Sequence, residues 1–477
     1  MARSKRLLIL LAVLAAACIA AFAALHWQEK QEQIAVSGEE VLSIDPDSVQ
    51  SLSWTYGGTS LAFSRDETGG WTYDNDAAFP VDPEVMEGLL TPFAPFSAAF
   101  VIEDAEDGGQ YGLDDPECTI SIETEDETYE ITLGGASAVD GQRYVSFGGG
   151  TVYLAAEDPL SSYEITLSDC ILNDVVPAMD EVTGLTFSGT ENYEIFYQED
   201  GAAWSYCAED VYFTERGGET VPLDTDRVEE YLTELSSVGL TNYVTYNATD
   251  EELAAYGLDD PELTVTAEYT AESETGQTVS GAFTLHISRD PEERALAEED
   301  GAADEEETIT AYVRVEGSSI VYRITSLEYT CLTMASYDDL RHDEVLTADF
   351  ADIQSIDVTL DGETYSFTAQ GSGDGRTWTW EGREIDLSDF QSAAEGLRAA
   401  EFTDETPAAQ QEIAFTVHLD SETFPTVEAV LYRYDGDACL AVVDGESVCL
   451  VDRADAVELI EAVRTIVLTD YEEEEGA

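Results

Sequence analysis

The heptapeptide YGLDDPE occurs twice, at residues 111–117 and again at 256–262. A chain that repeats seven residues letter for letter is built from duplicated units, and the repeat bounds the fold more tightly than any single propensity. The surrounding sequence carries the same signal in three copies. Val49, Leu52 and Trp54 in SVQSLSW match Val182, Leu185 and Phe187 in EVTGLTF, and Ile353, Ile356 and Val358 in DIQSIDV. Each is an alternating, half-buried strand, and each leads to a second strand: TSLAFSR, NYEIFYQ and ETYSFTA. A turn and an aromatic strand follow, with Trp71, Trp204 and Trp378 lying 22, 22 and 25 residues after Val49, Val182 and Ile353.

A helix comes next in every copy. FPVDPEVMEGLL, VPLDTDRVEEYLTEL and REIDLSDFQSAAEGL each place an apolar residue and then an aspartate at the entrance. Asp82, Asp224 and Asp386 read as N-caps, whose carboxylates accept free backbone N–H groups, and Pro83 suits a first helical position. A four-strand meander closes each copy, running CTISIET to TVYLAA, LTVTAEYT to SIVYRIT, and IAFTVHL to SVCLVD. Three strands, one helix, four strands and a trailing helix give an α+β class with antiparallel sheets.

Two acids beside a proline invite a catalytic or metal reading of YGLDDPE, but its context is structural. Thr249 and Glu252 form a capping-box pattern opening a short helix to Tyr256. Gly257 stands where a left-handed residue ends a helix, and Leu258 falls where a Schellman motif turns back to Leu253. Pro261 makes Asp260 extended, and a strand follows at once. In the first copy Gly108 and Gly109 weaken the helix, and the third copy lacks the motif. Cys118 follows the first motif where Leu263 follows the second, so it reads as a small buried hydrophobe.

Composition restricts the partners. The chain of 477 residues has 102 Asp plus Glu against 19 Lys plus Arg, a net charge of −83, and its two lysines are Lys5 and Lys30. Such a surface repels nucleic acid and anionic lipid and favours cations or basic protein faces. At the start, Arg3, Lys5 and Arg6 precede an uncharged run from Leu7 to Leu25, long enough at 1.5 Å per residue to span a bilayer core. The basic flank belongs in the cytoplasm, so the bulk of the chain is expected outside the cell membrane as a single-pass protein. An uncleaved anchor, cleavage after AFA (21–23) and lipidation at Cys18 all remain open. Acid-dense segments at 289–307 and in the tail 469–477 read as solvated and disordered. The expected organisation is therefore a basic start and transmembrane anchor over 1–30, a linker over 31–44, and repeats over 45–165, 181–330 and 350–468.

Chemistry is harder to place. The histidines are His26, His286, His342 and His418, none paired at helical metal spacing, and HExxH, GxGxxG and P-loop patterns are missing from the sequence. The six cysteines after Cys18 stand singly, without zinc-ligand spacing. A two-residue turn at Asp444-Gly445 would pair Cys439 with Leu450, one step off a bridge to Cys449. Asp74 and Asp76 in YDNDAAF, and Asp435 with Asp437 in YDGDA, are the calcium candidates, against turn chemistry as the plainer reading. No catalytic residue is assignable, and a non-enzymatic protein is expected.

The charged start, apolar span, GWTY-type strands, FPVD helix entrances and YGLDDPE resemble bacterial proteins carrying domain of unknown function 4340, over roughly residues 49–325 with a degenerate third copy to about 452. The resemblance implies a membrane-anchored, extracytoplasmic protein. Some members are associated with ABC-type transport systems akin to gliding-motility auxiliary components, which makes an integral membrane complex the expected partner. The family brings no catalytic residues to carry over. Two functions stand: a tethered accessory or binding protein, and a surface hydrolase or calcium-dependent adhesin.

Overall fold

The structure, a computed structural model, describes residues 39–468 except 104, 106, 139–140, 274, 301–308, 372–375 and 408–409. The apolar run 7–25 with its flanking charges, Cys18, the tail 469–477 and part of the acidic insertion lie outside the described residues. Among the described residues no helix is long and apolar enough to cross a membrane.

Three nine-stranded antiparallel sheets carry the chain. Residues up to Asp174 form one compact unit, with one sheet, and residues from Val175 form a second, with two. The three sheets share the wiring of eight strands; the ninth is Glu39–Leu42 beside Phe96–Ile102 in the first sheet, and Glu219–Pro222 or Arg383–Ile385 at the opposite edge in the other two. The first long strand (Val49–Tyr56, Glu181–Gly189, Ile353–Leu360) lies third from one edge in the first sheet and fourth from it in the other two. On one side it forms a hairpin with Thr59–Arg65, Tyr193–Tyr197 or Glu363–Gln370. On the other it pairs with the first meander strand, Cys118–Thr124, Leu263–Glu272 or Gln411–Leu419.

The spacing that aligned the copies has a physical cause. In a regular strand Val49 and Leu52, three apart, would face opposite sides. The pairing register shifts between Val49 and Ser51, between Val182 and Gly184, and between Ile353 and Ser355. A β-bulge at the same place in each sheet thus turns both apolar residues to one face, and Val49, Leu52, Ile353 and Ile356 are fully buried. Helices cover that face: Met86, Leu89 and Leu90 in Pro83–Leu90, Val228, Tyr231 and Leu235 in Thr225–Ser236, and Phe390 and Ala394 in Ser388–Glu395. The trailing helices Leu160–Tyr163, Ser326–Thr333 and Arg453–Leu468 complete the cover. Tyr163 donates its hydroxyl to Leu89 O at 2.5 Å and Tyr231 to Leu332 O at 3.2 Å, so each buried phenol has its partner. The opposite face carries polar cross-strand pairs such as Thr55–Ser60, Thr266–Thr284 and Thr359–Thr364.

Several expectations need correction. A strand after the main helix, absent from the sequence reading, borders each meander: Phe96–Ile102, Tyr243–Thr245 and Glu401–Phe402. Trp204 is half-buried in a turn, and the third strand of its sheet is Tyr212–Arg216; the indole packs on Phe196 and Phe213 beside that strand. Trp71 is buried and Trp378 half-buried, both in strands. The acidic segment after Arg289 is helical over Pro291–Asp300, because Asp290 accepts the Glu292 N–H at 2.9 Å and Arg294 reaches Asp260 O at 3.2 Å. Cys439 lies opposite Val451 and Cys449 opposite Ala441, since a second bulge shifts the register after the Asp444-Gly445 turn. The described cysteines are free, and burial pushes the Cys118 and Cys170 thiols up to about 12.

Candidate functional site

YGLDDPE closes two helical turns in the same way. Leu258 N donates to Leu253 O at 2.8 Å and Gly257 N to Ala254 O at 3.2 Å, the paired bonds of a Schellman motif. In the first copy Leu113 N donates to Gly108 O at 3.0 Å and Gly112 N to Gly109 O at 3.2 Å, so a 3-10 turn replaces the helix without changing the cap. Gly112 and Gly257 have φ of +74° and +72°. Asp114, Asp115, Asp259 and Asp260 are exposed.

The motif's last acid has a structural partner in each copy. Glu262, 13% exposed, accepts from Arg289 Nε at 2.9 Å, from Arg289 N at 2.8 Å and from the Tyr329 hydroxyl at 2.9 Å. Burial, with Glu262 beside it, pushes the Tyr329 phenol well up. Glu117 meets Arg143 Nη1 at 2.9 Å, and Arg143 also binds Asp158 at 2.7 Å and Gly134 O at 2.6 Å. The Glu262 network walls a cavity of about 520 Å³ that Glu191, Met334 and Asp339 also line. Glu191 is itself held by Arg216 at 2.5 Å and by the Tyr337 N–H at 2.8 Å.

The aspartates at the helix entrances act as caps. Asp82 accepts from Glu84 N at 2.8 Å, Asp224 from Asp226 N at 3.0 Å, and Asp386 from Ser388 N at 3.0 Å, although the third helix proper begins only at Ser388. The four calcium candidates sit in turns. Asp76 Oδ1 accepts Ala78 N at 3.0 Å, and Asp74 is exposed beside it. Asp435 Oδ1 accepts Asp437 N and Ala438 N, both at 2.8 Å, which holds its carboxyl below the usual range. Asp437 is exposed.

A different group converges where the second sheet's unit leads into the third. Among the described residues, Asp224, His342 and Glu344 form a group of metal-capable side chains whose ligand atoms lie within 4.8 Å of one another, and neither aspartate pair joins such a group. His342 Nε2 is 2.9 Å from Asp210 Oδ1, and Asp210, 2% exposed, also accepts the Ser205 hydroxyl at 2.5 Å. His342 Nδ1 lies 3.6 Å from Glu344 Oε2 and 3.9 Å from Asp224 Oδ2. Arg227 spans Asp224 at 3.3 Å and Asp343 at 2.7 Å, while Arg398 spans Asp343 at 2.7 Å and Glu344 Oε1 at 2.8 Å. Burial alone would lower the His342 pKa, but the contacts with Asp210 and Glu344 and the charge of Asp224 raise it to about 9. The same imidazole, against burial and with help from Arg398, lowers the Glu344 carboxyl to about 2. Spacing along the sequence did not single out His342. Asp210 stands 132 residues away, and only the adjacency His342-Asp343-Glu344 hinted at a cluster.

The profile of a family described as "Domain of unknown function (DUF4340)" matches this sequence twice, over residues 71–261 and 216–414. No curated protein matches the chain. Among solved structures, a Ca2+-stabilised adhesin with which an Antarctic bacterium binds ice is 10% identical over 88% of this chain and 87% of its own, with a TM-score of 0.08, too low to bear on fold or function.

Proposed function

The chain belongs to the family of domain of unknown function 4340, and on that premise we propose that it is a membrane-tethered, extracytoplasmic accessory or binding protein that holds a partner rather than turning over a substrate. One observation carries the reading: five of the charged residues that recur with the repeat are spent on the scaffold. Glu117 and Glu262 clamp arginines, and Asp82, Asp224 and Asp386 cap helices. A duplicated frame whose recurrent polar groups hold the frame itself suits presentation of a surface. The basic flank and apolar run of residues 3–25 supply the tether. The net charge of −83 selects a basic partner face or bound cations. The partner we propose is an integral membrane complex of the ABC-transporter type.

Cross-linking in native membranes tests this. Capture of an integral membrane protein, with contact weakened by salt as charge screening requires, is the expected result. Protease added to wall-stripped cells should remove the bulk of the chain. Full protection, or turnover by the purified chain that one carboxylate change abolishes, would replace the proposal with an enzyme or a cytoplasmic protein.

A further inference from the structure

We propose that Asp224, His342 and Glu344 form a binding site for one divalent transition-metal ion of the zinc class, which fastens the connector entering the third sheet to the helix entrance of the second. The argument starts from His342. Its Nε2 faces buried Asp210 at 2.9 Å, so that nitrogen carries the proton and donates it. Nδ1 then lies between Glu344 Oε2 and Asp224 Oδ2, the latter also met by Arg227 Nε at 3.3 Å, a place that favours positive charge: a proton in the metal-free chain, which a bound ion would displace.

That proton finds no well-placed acceptor. An N–H···O bond needs a separation of roughly 2.7–3.2 Å, and the oxygens stand at 3.6 and 3.9 Å. Tetrahedral bonds of about 2.1 Å place neighbouring ligand atoms about 3.4 Å apart, close to the two separations from Nδ1, and the two carboxylate oxygens lie within 4.8 Å of each other. Glu344 divides its oxygens accordingly. Oε1 takes Arg398 at 2.8 Å, while Oε2, turned towards His342, is buried without a hydrogen-bond donor.

Charge leads to the same ion. Asp210, Asp224, Asp343 and Glu344 stand against Arg227 and Arg398, so once an ion has displaced the Nδ1 proton two negative charges are left for one divalent cation to cancel. Asp210 takes the outer-shell role of a carboxylate that fixes the tautomer and orientation of a metal-binding histidine. One imidazole and two carboxylates select a borderline ion over calcium, which prefers six or more oxygens.

The test uses the intact chain in detergent, stripped of metal and titrated with Co2+ in excess Mg2+ to occupy the diffuse acidic surface. One equivalent of Co2+ should bind and develop the visible absorption of a low-symmetry nitrogen–oxygen site, and Zn2+ should bleach it. His342→Gln and Glu344→Gln should each weaken binding at least 100-fold, and Asp210→Asn by roughly 10–100-fold. The wild-type titration needs no variant. Absence of a stoichiometric, Mg2+-resistant site overturns the proposal, and so does a Co2+ spectrum that survives His342→Gln.

Discussion

Replacing Gly257 by alanine tests the account of YGLDDPE most directly. At φ +72° an alanine pays about 1 kcal/mol for the left-handed backbone. A Cβ there would also stand 2.6 Å from Ser288 Oγ and 3.2 Å from Arg289 O, inside contact distance. Ser288 is fully buried and its hydroxyl donates to Arg289 O at 3.1 Å, so it has little room to yield. Overpacking of this kind adds about 1–3 kcal/mol, and the stiffer unfolded chain returns about 0.5 kcal/mol. A net loss of about 1.5–3.5 kcal/mol follows, or about 3–7 °C in the melting of the second unit. Scanning calorimetry reads it, with the transition of the first unit as internal control. Ser288→Ala should relieve part of the clash, so the double variant should lose at least 0.5 kcal/mol less than the sum of the two single changes. A Gly257→Ala chain melting within about 1 °C of wild type, or strict additivity with Ser288→Ala, would refute both the left-handed cap and the packing argument.

Gly112→Ala should cost at least as much in the first unit, because its Cβ would meet a backbone atom, Gly135 N, at 2.7 Å. Glu262→Gln should destabilise by about 1.5–3 kcal/mol and Glu117→Gln by under about 1 kcal/mol, since Glu117 is 49% exposed and Arg143 keeps Asp158; chemical denaturation distinguishes them. Burial acts to raise the Glu328 carboxyl, but bonds from the Thr325 and Gly239 N–H groups and the Thr325 hydroxyl lower it below its ordinary 4.5. Its stabilisation is therefore present above about pH 4.5 and lost as pH falls through the folded value, and Glu328→Ala should flatten that acid limb in a pH series of melts. Asp259→Asn should leave melting unchanged with or without calcium, as an exposed residue outside the cap's bonds should.

How much of this was legible in sequence depended on whether the cause was local. Alternation in the central strands, the aspartate caps and the Gly257 turn are decided by neighbours a few residues apart. Even the three-residue step from Val49 to Leu52 was visible, though only the pairing shift explains it. Non-local causes stayed hidden. The border strand Tyr243–Thr245 is three residues long and exists because Val321–Ile324 offers it an edge. Trp204 had the right spacing from Val182, but its ring packs from a turn, and spacing cannot tell a strand from the loop before it. The helix Pro291–Asp300 forms despite its acid density because Arg294 and the Asp290 cap tie its first turn down. His342 and Asp210 meet only because two connections, far apart in the chain, pass the same helix entrance.

The phase of the family matches gives that meeting place more weight. Neither match coincides with a sheet. The first begins at Trp71, on the third strand of the first sheet, and ends at Pro261, just before the meander of the second. The other begins at Arg216, at the end of the equivalent strand, and ends at Ala414 within the third sheet's meander. Three sheets therefore yield two matches, each running from one sheet into the next. In the later passage lie the capped helices Ser326–Thr333 and Tyr337–Leu340 and the cluster around His342. A fragment cut to 181–330 would keep a sheet and lose His342, Glu344 and Arg398, so it would retain neither complete match nor the cluster. Partner capture or metal binding that survives in such a fragment would place function on a single sheet, whereas its loss there, with folding intact, is what a site built at the junction requires.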